Sequence, residues 1–193
     1  MGQNAVRMTR GANLPRDGVT AAGLICRAMA SPQQQLWLLR HGEAVPHESK
    51  PDSERELTAR GERQAVAAGE ALARLGLELD ACYTSPLVRA RETAELACKE
   101  LSVKPEERDA LGKEFDLDTV RELLAAHGDG ARVLVVGHNP SFEQVVLDLT
   151  GARIDFKKGG VAALRVSGGR GELIALLRPR ELESLALSEL PQR

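Results

Sequence analysis

Short apolar runs alternate with amphipathic segments along most of the chain. The clearest run, Leu36-Trp37-Leu38-Leu39, ends abruptly in Arg40-His41-Gly42-Glu43. A run this short, bounded by polar residues, predicts a buried strand. Residues 44–56 are polar and contain Pro46 and Pro51, which predicts a loop long enough to form a flap near a site. A helix is expected after Leu57, with Thr58 as its N-cap. Ala65, Val66, Gly69, Leu72 and Leu75 recur at helical spacing until Gly76 stops it. Residues 79–83 read as a second strand. Thr84-Ser85-Pro86 predicts a sharp helix start, with Ser85 as N-cap and Pro86 at the first helical position. That helix should run to about Leu101. Beyond it the pattern predicts a short edge strand over 103–107 and a helix over 118–127, with Val120, Leu123 and Leu124 on its apolar side. A buried strand over 132–136 ends in Gly137-His138-Asn139-Pro140, and a helix over 141–149 follows. Two further strands, 160–166 and 172–177, are joined by a Gly168-Gly169-Arg170-Gly171 turn.

Strands that alternate with helices predict an α/β fold, a three-layer α/β/α sandwich whose central sheet is mostly parallel and covered on both faces. In such a sheet the carboxyl ends of parallel strands share one rim, where ligands bind. Three polar clusters follow strand ends: Arg40-His41, Ser85 to Arg89, and Gly137-His138. Arginine supplies a planar fork of donors for phosphate or carboxylate, and glycine lets the backbone approach a ligand closely. Arg89 and Arg91 lie in the first turns of a helix, where the dipole prefers anions. Arg91 fits a solvated helix face. Arg89, one turn above the expected cap, is within reach of a ligand at the strand end. Cations and imidazoles gathered on one rim repel unless an anion neutralises them, so the rim is read as an anion site.

Composition narrows this picture. With 193 residues, 42% apolar and 28% charged, the chain has the make-up of one globular domain. Aromatic residues are only 3%, so the core must be built from Leu, Val and Ala, and stacking platforms for single-stranded nucleic acid are scarce. A net charge of −2 argues against a general nucleic-acid surface, although a phosphate pocket needs only local positive charge. No apolar run approaches the ~20 residues of a membrane span. Cys26, Cys82 and Cys98 form no CxxC pair, which is neither a disulfide framework nor a zinc site and suits a reducing cytoplasm. Residues 1–34 stand apart: Arg7, Arg10, Arg16 and Arg27 face one acid, Asp17. A secretory signal there is disfavoured because Thr20 and Gly23 break the apolar run and Arg27 follows it. A disordered extension, or a true start at Met29, is the expected reading. The domain is then expected over 35–185, with a tail over 186–193.

Together, Arg40-His41-Gly42-Glu43, Leu57-Thr58-x-x-Gly61, Ser85-Pro86-Leu87-x-Arg89-Ala90-x-x-Thr93-Ala94 and Gly137-His138-Asn139-Pro140 resemble the histidine phosphatase superfamily. Within it they are most similar to the SixA branch of phosphohistidine phosphatases. The resemblance runs in order from about Leu36 to about Leu182. It implies a phosphoglycerate mutase-like fold, with His41 as nucleophile, Arg40 and Arg89 as phosphate clamps, and His138 as the second pocket histidine. Gly42, Ser85 and Asn139 are implied as substrate-binding residues. No metal and no cofactor is implied, and the expected protein is a cytoplasmic monomer. No large cap is inserted between Arg89 and His138, so the site is expected to be open and shallow. His41 must be neutral to attack, so some acceptor, expected to be a backbone carbonyl, must hold its proton on the other ring nitrogen.

The general acid used by the mutase and acid-phosphatase relatives has no evident counterpart. Glu106, Glu107, Asp109, Glu114, Asp116 and Asp118 occupy the region, yet a solvated loop or a helix cap explains each of them. An alkoxide leaving group needs such an acid. A phosphohistidine does not, because its leaving imidazole has a conjugate-acid pKa of ~6.5. A phosphohistidine-bearing phosphorelay or phosphotransfer protein is therefore the expected partner, with no nucleic acid and no membrane. The competing readings are a phosphomonoesterase acting on a small phosphorylated metabolite and a non-catalytic phosphate-binding module. His47 reads as an exposed loop residue, His127 as a partner of its helix dipole, Lys157-Lys158 as a basic turn and Glu43 as an orienting group without chemistry.

Overall fold

Alternation within the first strand decides the layering. In β1, Gln34–Arg40, Leu36 and Leu38 enter one core while Leu39 enters the other, as expected for side chains that point to opposite faces in turn. The computed structural model describes residues 33–113 and 115–188. Apart from its last two residues, the expected N-terminal extension lies outside that range, as do Glu114 and the end of the C-terminal tail.

The remaining strands are β2, Ala81–Thr84; β3, Pro105–Glu107; β4, Arg132–Gly137; β5, Val161–Ser167; and β6, Arg170–Leu177. They form one sheet in the order β3-β2-β4-β1-β5-β6. Strands β3, β2, β4 and β1 run parallel, and β5 and β6 add an antiparallel edge. The β5–β6 hairpin turns on Gly168 and Gly169, both at positive φ (56° and 78°), the conformation a two-residue hairpin loop demands.

Helices α1 (Ala59–Arg74), α2 (Val88–Leu101), α3 (Ala110–Lys113), α4 (Leu117–Ala125), α5 (Ser141–Thr150) and α6 (Pro179–Leu187) follow in chain order. One face of the sheet packs on α4 and α5 through Val120, Leu124, Phe142 and Val146. The other packs on α1, α2 and α6 through Ala68, Leu72, Ala94, Ala97 and Leu182. This is the three-layer sandwich expected from the alternation. Helix α6 was not legible in the hydrophobic pattern, since only Leu182 and Ala186 are buried along it. The α4 boundary also differs: the helix begins at Leu117 because Asp116 caps it, its carboxylate accepting the Thr119 N–H at 2.9 Å.

Small residues set the spacing of α1 and α2. A Cβ built on Gly69 would lie 2.3 Å from the Ala97 carbonyl oxygen, backbone that cannot rotate aside. Gly69→Ala should therefore destabilise the protein by about 1–3 kcal/mol through overpacking, even though alanine is the better helix former. The urea midpoint should fall at unchanged m-value. Gly128→Ala, where the added carbon meets open space, should leave that midpoint where it is or raise it.

Candidate active site

Strands β2, β4 and β1 are neighbours and parallel, so their carboxyl ends bring the three polar clusters to one rim. His41 leaves the end of β1 pinned on both sides. Its N–H donates to the Gly137 carbonyl at 3.0 Å, and its own carbonyl accepts the Gly159 N–H at 3.0 Å. The ring is buried, and its Nδ1 lies 2.7 Å from the Gly42 carbonyl oxygen. A carbonyl can only accept, so Nδ1 carries the proton and Nε2 keeps its lone pair. Burial, then the neighbouring His138, then Arg89 and Arg40 depress the His41 pKa to about 3. The ring is a neutral base.

The close approach of the next residues explains a second motif. A Cβ on Gly42 would lie 2.6 Å from the Gly61 carbonyl oxygen, and one on Gly61 would lie 2.0 Å from that of Glu43. Thr58 caps α1 by accepting the Gly61 N–H at 3.1 Å and donates its hydroxyl to Glu43 at 3.0 Å. Glu43 thus orients the turn, as expected. The Gly42 N–H donates to Thr93 Oγ1 at 3.1 Å, and that hydroxyl donates to the Arg89 carbonyl at 2.7 Å. The His41-Gly42 turn and the start of α2 are joined through one hydroxyl.

Arg40 donates through one terminal nitrogen to the Phe156 carbonyl. Asn139 donates to the same carbonyl at 3.2 Å and to Glu143 at 2.6 Å, and Glu143 also accepts the Phe156 N–H at 2.9 Å. Asn139 therefore braces the loop that holds Arg40. Arg89 is buried and already faces an anion: it donates to the Asp52 carbonyl at 2.6 Å and to the Asp52 carboxylate at 3.1 Å. The buried Arg55 binds the other carboxylate oxygen at 2.8 Å and the Val45 carbonyl at 2.8 Å. The hydrogen bond from Arg55, together with Arg89, holds the Asp52 carboxyl below the usual carboxylate range, so Asp52 is ionised and cannot donate a proton at neutral pH. Sequence reasoning missed Asp52, Arg55, Glu143 and Phe156. A charged pair three residues apart in a polar loop gave no sign that it would reach an arginine 37 residues on.

Ser85 does not cap α2, whose first flanking residue is Leu87. The chain needs residues 85–87 to turn from β2 into the helix, and the hydroxyl is drawn into the site. Ser85, fully buried, lies 2.8 Å from His138 Nε2 and accepts the Leu87 N–H at 3.3 Å. With one lone pair spent on Leu87, the hydroxyl still has a proton and a second lone pair to offer Nε2, so its role in that contact follows the His138 tautomer. Burial, followed by Arg89, lowers the His138 pKa to about 4. The His41 and His138 rings are 5.0 Å apart. Four buried side-chain polar atoms among the described residues lack a partner: Arg40 Nε, Arg89 Nε, His138 Nδ1 and Asn139 Oδ1. Arg40 Nε and Arg89 Nε are donors, and a buried donor without an acceptor is costly. All four belong to the rim, whose donors suit a tetrahedral oxyanion.

Of the candidate acids, Glu106 pairs with Arg108 at 2.9 Å, Glu107 faces Arg91 at 4.0 Å and Asp118 pairs with Arg121 at 2.6 Å. Asp109 is exposed. Asp116 alone of the described candidates lines the recess of about 580 Å³ beside Arg89 and His138, but its carboxylate caps α4, and that bonding lowers its pKa. His47 is largely exposed beside Arg55 and Asp52. His127 Nε2 meets the Tyr83 hydroxyl at 3.0 Å, a side-chain partner rather than only a helix end.

Residues 36–123 match the family model of the histidine phosphatase superfamily, branch 1. An uncharacterized protein of Picosynechococcus sp. is 32% identical over 162 residues, covering 77% of this chain and 98% of that protein. The mitochondrial serine/threonine-protein phosphatase Pgam5 of Drosophila ananassae is 35% identical over 80 residues, which is 42% of this chain and 27% of that protein. Among solved structures, the protein histidine phosphatase SixA complexed with tungstate superposes with a TM-score of 0.68 at 26% identity, covering 77% of this chain and 99% of that one.

Two predictions follow from this geometry. Both histidines have pKa values below the ~6.5 of an unfolded chain, so on acidification the unfolded state takes up their protons first. Their contribution to stability is complete above that value and is lost as pH falls toward 4. The urea midpoint should drop between about pH 7 and pH 5, and the drop should be shallower in His41→Asn. Asp52→Asn removes the carboxylate charge beside Arg89, so inorganic phosphate should bind roughly fivefold tighter by calorimetry, the worth of about 1 kcal/mol.

Proposed function

This chain belongs to the histidine phosphatase superfamily, and on that premise we propose that it removes phosphoryl groups from histidine side chains of other proteins. The observation that carries the proposal is the state of His41: its Nδ1 proton is held by the Gly42 carbonyl, and Nε2 is left as the base, with Arg40, Arg89 and His138 gathered on the same rim. In the first step the Nε2 lone pair attacks phosphorus and the N–P bond of the substrate breaks. The substrate ring takes a proton from solvent on its other nitrogen before the bond breaks, so it keeps the bonding pair and departs as neutral imidazole. Charge spread over the equatorial oxygens is what the protein must stabilise; two guanidiniums supply donors for it, and His138 adds one in its Nδ1–H tautomer. Water then attacks the phosphorylated His41, releasing phosphate and restoring the neutral ring. Gly42, which permits the tight turn, serves this geometry without a side chain of its own, while Ser85 and Asn139 act by positioning His138 and Arg40.

The choice of phosphohistidine follows from proton supply. Among the described candidate carboxyls, Asp52 is ionised and Asp116 is engaged as a cap, so an alkoxide would leave unassisted. An imidazole leaves as a far weaker base. The phosphoester reading draws on the partial likeness to a serine/threonine phosphatase and requires a carboxyl from the segment 106–118.

A direct comparison separates these readings. Purified enzyme should release phosphate from a histidine-phosphorylated protein at the same rate with and without EDTA, and should turn over sugar, nucleotide and phosphoserine esters poorly. Acid-labile phosphate should be trapped on His41 in a rapid quench. His41→Ala should lose about four orders of magnitude or more in rate. Efficient ester hydrolysis that disappears with Asp116→Asn would favour the phosphoesterase, and stoichiometric phosphate binding without turnover would leave a binding module.

A further inference from the structure

Two recesses reach the rim, one lined by His138 and Arg89 and the other by Arg40, and they differ in character. The one beside His138 and Arg89 has apolar walls from Leu87, Leu111, Phe115 and Pro140. The other, about 530 Å³ and adjoining Arg40, is lined by the cations Arg60, Lys157, Lys158, Arg178 and Arg180, with Glu43 as the one carboxylate among its lining residues. Glu43 is already approached by Arg60 at 3.4 Å, and Lys157 is neutralised by Asp155 at 2.7 Å. Lys158, Arg178 and Arg180 are exposed and form no ion pair with a described residue. In a chain of net charge −2, this edge is locally basic.

The arrangement suits a protein surface better than a small ligand. The cations come from four separate segments: the end of β1, the first turn of α1, the 157–158 turn, and the junction of β6 with α6. Small-ligand pockets are mostly apolar, with a few polar groups that fix orientation. Apart from Gln64 and Pro179 the residues lining this recess are all charged, and no aromatic ring lines it to stack a base. Mobile, exposed cations set around a catalytic centre act through field and encounter rate, which is how charged rims select a partner. A cluster of unpaired cations is also self-repelling, a cost that an acidic partner relieves.

We propose that this basic recess docks the acidic face of the phosphohistidine-bearing substrate protein, with Lys158, Arg178 and Arg180 supplying the attraction. The proposal rests on the phosphohistidine reading given above. Because these residues stand outside the chemical machinery, they should alter how a phosphoprotein is captured and leave the reaction on a free phosphohistidine unchanged.

The test uses two substrates: a phosphotransfer protein of net negative charge, phosphorylated on histidine with phosphoramidate, and free phosphohistidine. For the full chain, kcat/KM on the protein substrate should fall steeply with added salt, while that on free phosphohistidine changes little. The combined variant Lys158→Glu, Arg178→Glu, Arg180→Glu should lower kcat/KM on the phosphoprotein about tenfold at low salt, mainly through KM, and flatten its salt dependence. Its rate on free phosphohistidine should match the wild type, which also reports that the fold is intact. Equal salt dependence for the two substrates in the wild type overturns docking, as does a charge reversal without effect on the phosphoprotein. An equal loss on both substrates assigns the recess to the small-ligand pocket instead. If the wild type hydrolyses neither substrate, the phosphohistidine reading fails and the docking proposal falls with it.

Discussion

The contact between His41 Nδ1 and the carbonyl oxygen of Gly42, at 2.7 Å, fixes which ring nitrogen is a base, and the surroundings depend on that choice. A hydrogen bond from a residue's side chain to the next residue's carbonyl needs a sharply turned backbone. The turn is held by the Gly137 and Gly159 backbone groups on one side and by the Thr93 hydroxyl on the other. It fits only because Gly42 and Gly61 bring two backbones closer than any Cβ would allow. The tautomer is thus decided by packing that reaches from the sheet to the first turn of α1.

Charge compensation at the rim is uneven. Arg89 is buried and cannot be left alone in a region of reduced dielectric. Asp52 meets it from the flap and is itself steadied by Arg55. Among the described residues no carboxylate pairs with Arg40, which donates to a peptide carbonyl instead. The two arginines therefore differ: Arg89 meets a carboxylate and Arg40 a peptide carbonyl, while the Nε of each is unspent. That difference was invisible in the sequence, where both appear only as arginines near strand ends.

Much of the fold was legible because its elements are locally consistent. The Leu36–Leu39 run and the strand over 132–136 are buried on both sheet faces, and their apolar runs announce it. The Thr58 cap and the Gly76 stop bound α1 as the residues require. His41, Arg40, Arg89 and His138 could be brought together because parallel strands share a rim. What could not be read depends on tertiary reach. Ser85 has the chemistry of an N-cap, and only the position of His138 shows why its hydroxyl is used elsewhere. Helix α6 buries too narrow a stripe to stand out. Asp52 acts through a loop whose path no periodicity describes.

That loop has a further property. At its base, Ala44 pairs with Leu57 in an antiparallel bridge, the Val45 N–H donates to Glu56, and the Thr58 N–H donates to Glu43. The stem is closed by backbone bonds that any side chains would permit, and the segment above it spans from one side of the stem to the other without entering either core, except through Arg55. Doubling the length of such a closed loop adds only about 0.6 kcal/mol of closure entropy. The flap is therefore a separable module: its length can change, and with it the approach of Asp52 to Arg89, while His41 beneath stays in register.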